Sequence, residues 1–200
     1  RVLIGPRILQ VSRQVLDRTM LLAGLYRLTG DHRYADRART ELIAAANFVD
    51  WHPPHFLDVA EMTNAEAIGY DWLYDVLSPE ERATIRTAII EKGLKPGLHV
   101  YTGSKKGFAT NTNNWNQVCN GGMIAGALAI ANEEPDIARQ IIDHARKDGV
   151  DVPRQLSVVG FDDISQRYHF QPTVTSMYFS RYEMGKCALR IIGENHKNQD

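Results

Sequence analysis

Between Arg7 and about Ala145, apolar residues recur at three- and four-residue steps almost without interruption, and short stops cut the run at regular intervals. Ile8, Val11, Val15, Met20, Leu21, Leu25 and Leu28 set the first series, which ends at Thr29-Gly30-Asp31, a C-terminal glycine followed by a new N-cap. A second helix is predicted from His32 to Phe48, before the consecutive prolines of Trp51-His52-Pro53-Pro54 exclude helix. A third covers about Leu57 to Leu77. Ser78-Pro79-Glu80-Glu81 then supplies an N-cap, a proline at the first helical position and a capping-box glutamate, so a fourth helix starts there and ends near Gly93. After a loop containing Pro96, Gly97, Gly103 and Gly107, a fifth helix runs from about Asn114 to Ala131 and a sixth starts at Pro135. Connections this short pair consecutive helices as antiparallel hairpins, first with second, third with fourth, fifth with sixth. The expected class is therefore mainly α, a stack of helix pairs.

After Asp148 the texture changes. GVDVPRQLSVVGFDD holds a glycine-proline loop and the run Leu156 to Val159, then Gly160-Phe161-Asp162-Asp163, which together read as a buried strand feeding a polar loop. Such strands suit a parallel sheet. Pro172 to Met177 is a second candidate strand and Arg181 to Gly193 a final helix, so a small α/β segment over 146–200 follows a helical part over 1–145. Because these strands lack obvious partners, unpaired edges could drive self-association into a homo-oligomer.

Composition narrows the function classes. Formal net charge is -1 with acids and bases interspersed, so no basic face points to nucleic acid and no cationic amphipathic helix to a membrane surface. No apolar run is long enough to span a bilayer, and the first residues, RVLIGPRILQ, show neither an initiator Met nor a signal-peptide core. Two cysteines, Cys119 and Cys187, do not make a disulfide framework. There is no phosphate loop, nucleophile elbow or dinucleotide fingerprint, and no cofactor is expected. His52, His55 and Asp58 are spaced three apart, but the intervening prolines spoil helical geometry, so no metal site is expected either.

The segment NTNNWNQVCNGG, Asn111 to Gly122, concentrates five asparagines, a glutamine and a tryptophan before two glycines. Asparagine is a poor helix former that favours caps, turns and ligand contacts, so the density points to a polar ligand at a helix entrance. The alternative is that Asn113 or Asn114 only caps the fifth helix and Trp115 only joins the core. Gly121 and Gly122 suit close helix packing.

The stretch HFLDVAEMTNAEAIGYDWLYDVLSPEERATI, with NNWNQVCNGGMIAGALAIA and LYRLTGDHRYADRARTEL, resembles the helical domain of heparinase II/III-like polysaccharide lyases. That resemblance implies an incomplete α/α toroid, an acidic oligosaccharide or polysaccharide partner, β-elimination of uronic acids, and a periplasmic or secreted location. It implies that Asn114 and Asn116 act catalytically, their amides neutralising the substrate carboxylate as charge builds on it. His55 would be the candidate base; Asn113, Trp115, Gln117 and Tyr70 would line the cleft, although the aromatic stripe of Tyr70, Trp72 and Tyr74 also suits a core. No residue matches the lyases' catalytic tyrosine motif, so catalysis is expected to be incomplete.

The remainder, GVDVPRQLSVVGFDDISQRYHFQPTVTSMYFSRYEMGKCALRII, resembles the C-terminal end of LacI-type sugar-responsive repressors, with Val174-Thr175-Ser176 in place of Leu-Thr-Thr. This implies that Asp162 binds an effector, commonly a sugar hydroxyl or purine; alternatively Asp162 or Asp163 caps a turn. No helix-turn-helix is recognised, so DNA binding by this chain alone is not expected. The join near Ala145 suggests a fusion. Three readings follow: a lyase-like helical domain, taken as the main one; a sugar-effector module of a LacI-type regulator; and a structural hybrid without activity.

Overall fold

A computed structural model describes residues 7–105, 107–147, 159–161 and 175–177. The described helices are α1 (Leu9–Thr29), α2 (His32–Ala46), α3 (Phe56–Trp72), α4 (Pro79–Ala88), α5 (Lys95–Thr102), α6 (Asn114–Ala129) and α7 (Pro135–Lys147). A π-helical turn, Ile89–Leu94, joins α4 to α5, and a 3-10 turn, Gly107–Thr110, precedes α6. The strands are β1 (Val159–Phe161) and β2 (Thr175–Met177). The chain divides into two units, Arg1–Asp151 and Val152–Asp200. The helical class is as the periodicity requires.

Local chemistry sets the helix ends. Gly30 adopts φ 72 and closes α1 through a bond from its N–H to Tyr26 O, after which the Asp31 side chain caps α2 by accepting from Arg33 N. Ser78 and Glu81 make the reciprocal capping box of α4. One stop was misplaced. The chain does not leave the helix near Gly93 for a loop: the π-helical turn carries the backbone through Gly93, α5 starts at Lys95, and Pro96 occupies its first turn.

α3 is the spine of the helical unit, with residues on all its faces buried, and it lies between α1 and α6. The Ile8 N–H donates to Asp58 at 2.7 Å at the start of α3, while Gly24 near the end of α1 faces the Trp72 ring. On the other side Phe56 packs at a tilt on Phe108 of the 3-10 turn that precedes α6, and Tyr70 bonds Glu133 just beyond the end of α6. So α1, α3 and α6 run parallel, while α2 packs on both α1 and α3, α4 on α2 and α3, and α7 on α6.

The stripe α1 buries differs from the apolar series read from the sequence. Ser12, Val15, Thr19 and Ala23 face inward, whereas Met20 and Leu21 are 44% and 63% exposed and Leu28 is 61% exposed. Small side chains let α1 approach α3 closely, and the leucines are left outside. Close approach is tightest at Gly122, where a Cβ would stand 2.4 Å from the Ala60 carbonyl oxygen.

In the second unit β1 and β2 pair in parallel, Val159 with Thr175, Gly160 with Ser176 and Phe161 with Met177. Val159 to Phe161 falls within the expected first strand region, whose residues 156–158 lie outside the described residues, and the two described strands pair with each other rather than lacking partners. The final helix anticipated at Arg181 to Gly193 lies outside the described residues.

Candidate functional site

The asparagine-rich entrance of α6 brings together several side chains picked out by the sequence. Asn113 is the N-cap, its side-chain oxygen accepting from Trp115 N at 3.0 Å. Asn114 and Gln117 are exposed, and Trp115 is half-buried with its ring edge-on to His55 at 5.0 Å. Asn116 does something different. Its amide nitrogen donates to Ala109 O at 2.8 Å and Phe108 O at 3.3 Å, and Asn120 bonds back to Asn116 O at 2.7 Å. Both amide hydrogens of Asn116 thus pin the 3-10 turn to α6, which leaves none for a ligand carboxylate. Tyr101 extends this internal chain by donating to Asn120 Oδ1 at 2.6 Å.

Behind the entrance, His55 and His52 converge on Asp58. That carboxylate is fully buried and meets His55 Nδ1 at 2.5 Å, His52 Nδ1 at 3.0 Å and the Ile8 N–H at 2.7 Å. Both rings meet the carboxylate through Nδ1, which leaves each Nε2 outside this contact. His52 sits at φ 61, a left-handed conformation held by this bond and by its N–H to Asp50 Oδ1. Sequence spacing had brought these three residues together as a doubtful metal set; the carboxylate between the rings makes them a fastening instead. Among the described residues no group of three or more His, Cys, Asp or Glu side chains could hold a metal ion.

Tyr70 is elsewhere. Its hydroxyl donates to Glu133 Oε1 at 2.9 Å and accepts from Arg86 Nη1 at 3.3 Å, at the far end of α6, roughly 24 Å from Asn114 by the rise of a 16-residue helix. Burial pushes the phenol up to about 12. The structure therefore does not bring Tyr70 to the asparagines. Tyr74 shares Glu133 at 2.9 Å, so the aromatic stripe ties α3 to the turn after α6. Asp162 lies outside the described residues and follows β1 directly in the sequence.

Two features escaped the sequence. Glu66 is fully buried in α3, and neither carboxylate oxygen has a hydrogen-bond partner among the described residues. Lys92, in the π-helical turn, donates to the carbonyls of Ala46 and Phe48. A glutamate among the alanines of a helix gives no sign of which face it will occupy.

Comparison with known proteins changes the functional frame. The periplasmic binding protein-like domain family matches residues 77–197. The HTH-type transcriptional regulator RegA of Clostridium acetobutylicum is 37% identical over 57 residues, 28% of this chain and 17% of the relative. The HTH-type transcriptional repressor PurR of Aliivibrio fischeri is 31% identical over 64 residues, 32% of this chain and 19% of the relative. The probable HTH-type transcriptional regulator EndR of Paenibacillus polymyxa is 30% identical over 66 residues, again 32% and 19%. The chain spans less than a fifth of the length of these relatives. These matches overturn the main expectation, a polysaccharide lyase acting by β-elimination on an acidic polysaccharide partner. They also overturn the expectation of an acidic saccharide partner with no nucleic acid bound by this chain alone, because the relatives are named as HTH-type transcriptional regulators. The resemblance of the C-terminal part to LacI-type repressors stands.

Proposed function

This chain belongs to the periplasmic binding protein-like domain family, and we propose that its segment 146–200 is the effector-binding end of a LacI-type transcription regulator. The reading is supported most by the parallel pairing of Val159–Phe161 with Thr175–Met177. In open α/β sheets ligands bind outside the carboxyl ends of the strands, and Asp162-Asp163 follows the carboxyl end of β1. A carboxylate there accepts hydrogen bonds from a hydroxyl or a ring N–H, which fits a neutral sugar or a purine base. Asp162 is the residue assigned to that contact. DNA would be a partner of the longer regulator, through a helix-turn-helix of the kind that the relatives' names describe.

The test is isothermal titration of the whole chain with a panel of neutral sugars and purine bases, beside an Asp162→Ala variant. Saturable binding to one of them that is weakened at least tenfold in the variant, about 1.4 kcal/mol, supports the assignment. Binding of equal strength in both proteins, or no binding to any member of the panel, refutes it.

A further inference from the structure

We propose that Glu66 and Lys92 form a proton-gated latch on the segment between α2 and α3. With Glu66 protonated, Lys92 holds that segment by the carbonyls of Ala46 and Phe48; when Glu66 ionises, the ammonium is drawn inward and the segment is released.

The geometry has three parts. Glu66 is fully buried on α3, with both oxygens unpartnered among the described residues, so no hydrogen bond there stabilises a carboxylate. Lys92 reaches from the π-helical turn to the last carbonyls of the α2 end, which a helix leaves without intrahelical donors. Next to both groups along the chain the packing is tight: a Cβ on Gly93 would meet Thr63 Oγ1 at 2.5 Å and the Trp51 ring at 3.3 Å, and Thr63 lies one turn before Glu66 on α3. The π-helical turn therefore presents its backbone to α3 and to the latched segment at once. Such turns break the regular ladder and mark places where a helix can yield.

The charges facing each group are few. Lys92 is the charged group acting on Glu66; Glu66 and Asp50 both act on Lys92. Burial pushes the Glu66 carboxyl well above the usual carboxylate range, and Lys92 opposes this only in part. Burial likewise pushes the Lys92 ammonium down, against the pull of Glu66 and Asp50. The sign follows from the raised value for Glu66. The native state binds the proton more tightly than the unfolded chain, so the stability it brings is complete below the ordinary carboxylate range and is lost as pH rises through the raised folded value. In the step itself the Glu66 O–H bond breaks and the proton passes to solvent base. Lys92 keeps its three N–H protons and exchanges carbonyl acceptors for the new carboxylate.

Release would free a short segment whose Val49 is 89% exposed and whose other ties include Trp51 Nε1 to Ala45 O at 3.1 Å, Asn47 Nδ2 to Ile43 O at 2.8 Å, Phe48 N to Ala45 O at 3.1 Å and the His52 N–H to Asp50, with the Trp51 ring buried as its anchor. The same segment leads into His52 and His55, so the latch sets the support beneath the α6 entrance.

Hydrogen–deuterium exchange of the whole chain, corrected for the intrinsic pH dependence of exchange, reads the latch directly. Protection of peptides covering 46–51 should fall by roughly tenfold or more between mildly acidic and mildly alkaline pH, the factor expected for one unit of differential proton binding. Glu66→Gln should abolish that pH response, and Lys92→Met should leave the segment unprotected at every pH. A pH-independent wild type, or an unchanged response in Glu66→Gln, overturns the proposal. Should Glu66→Gln fail to fold, the infrared band of a protonated carboxyl in the wild type decides. The latch requires that band to disappear in step with the loss of protection, and its absence at all pH values overturns the proposal.

Discussion

Replacing Gly122 by alanine adds one methyl group where the backbone of α3 already stands, and the consequence can be worked from the distances. The new Cβ would lie 2.4 Å from the Ala60 carbonyl oxygen and 2.9 Å from Ala60 C and Cα, whereas ordinary contact begins at 3.4 Å. No side chain can rotate away, because the obstacle is main chain. α6 must shift from α3 by about an ångström along the most extensive helix contact of the unit, and overpacking of this kind costs about 1–3 kcal/mol. Against a main-chain obstacle the cost lies in the upper part of that range, about 2–3 kcal/mol, and alanine returns about 1 kcal/mol as the better helix former, so the net loss lies at about 1–2 kcal/mol. For a chain of this length that lowers Tm by about 2–8 °C. Gly24→Ala is the control. Its Cβ would meet only the Trp72 ring at 3.4 Å, so the helix preference acts nearly alone and Tm should rise by about 1–4 °C. Thermal unfolding followed by circular dichroism compares the two variants with wild type. If Gly122→Ala proves as stable as wild type, or both variants move in the same direction, the inferred α3–α6 packing is wrong.

Ser78→Ala removes one half of the α4 capping box and should lower stability by about 0.5–2 kcal/mol, read from the urea midpoint. Asp58→Asn keeps the shape but removes the charge that gathers His52, His55 and the Ile8 N–H; a loss of about 1–3 kcal/mol is expected, with increased exchange of the first residues of α1. Tyr70 titrates at about 12 against an ordinary 10.0, so its contribution is complete below about 10 and is lost as pH rises through about 12. Tyr70→Phe should therefore be less stable than wild type by about 0.5–1.5 kcal/mol near neutrality, with the gap closing at strongly alkaline pH in denaturation curves.

What could be read from the sequence was local chemistry. Thr29-Gly30-Asp31, Ser78 to Glu81 and Asn113 each declare a helix end through residues a few positions apart, and all three hold. Long-range partners left no such mark. Asn116 looked like a ligand contact because its acceptors, the carbonyls of Phe108 and Ala109, exist only once the 3-10 turn has formed. Met20 and Leu21 looked like core because apolar periodicity cannot show that α1 packs through its small residues. Gly93 looked like a helix end and Pro96 like part of a loop because a π-helical turn has no sequence signature comparable to a cap. Of the candidate site, the clustering of Asn113, Trp115 and His55 was legible, whereas the role of Asp58 as their fastening and the misplacement of Tyr70 were not.

The most direct test of the regulator reading is hydrogen–deuterium exchange of the whole chain with and without saturating members of the sugar and purine panel. New protection in peptides spanning Val159 to Asp163 and Thr175 to Met177, with Asn111 to Gln117 unchanged, is the predicted result. Protection confined to Asn111 to Gln117, or no change anywhere in the chain, would contradict an effector site at the carboxyl end of β1.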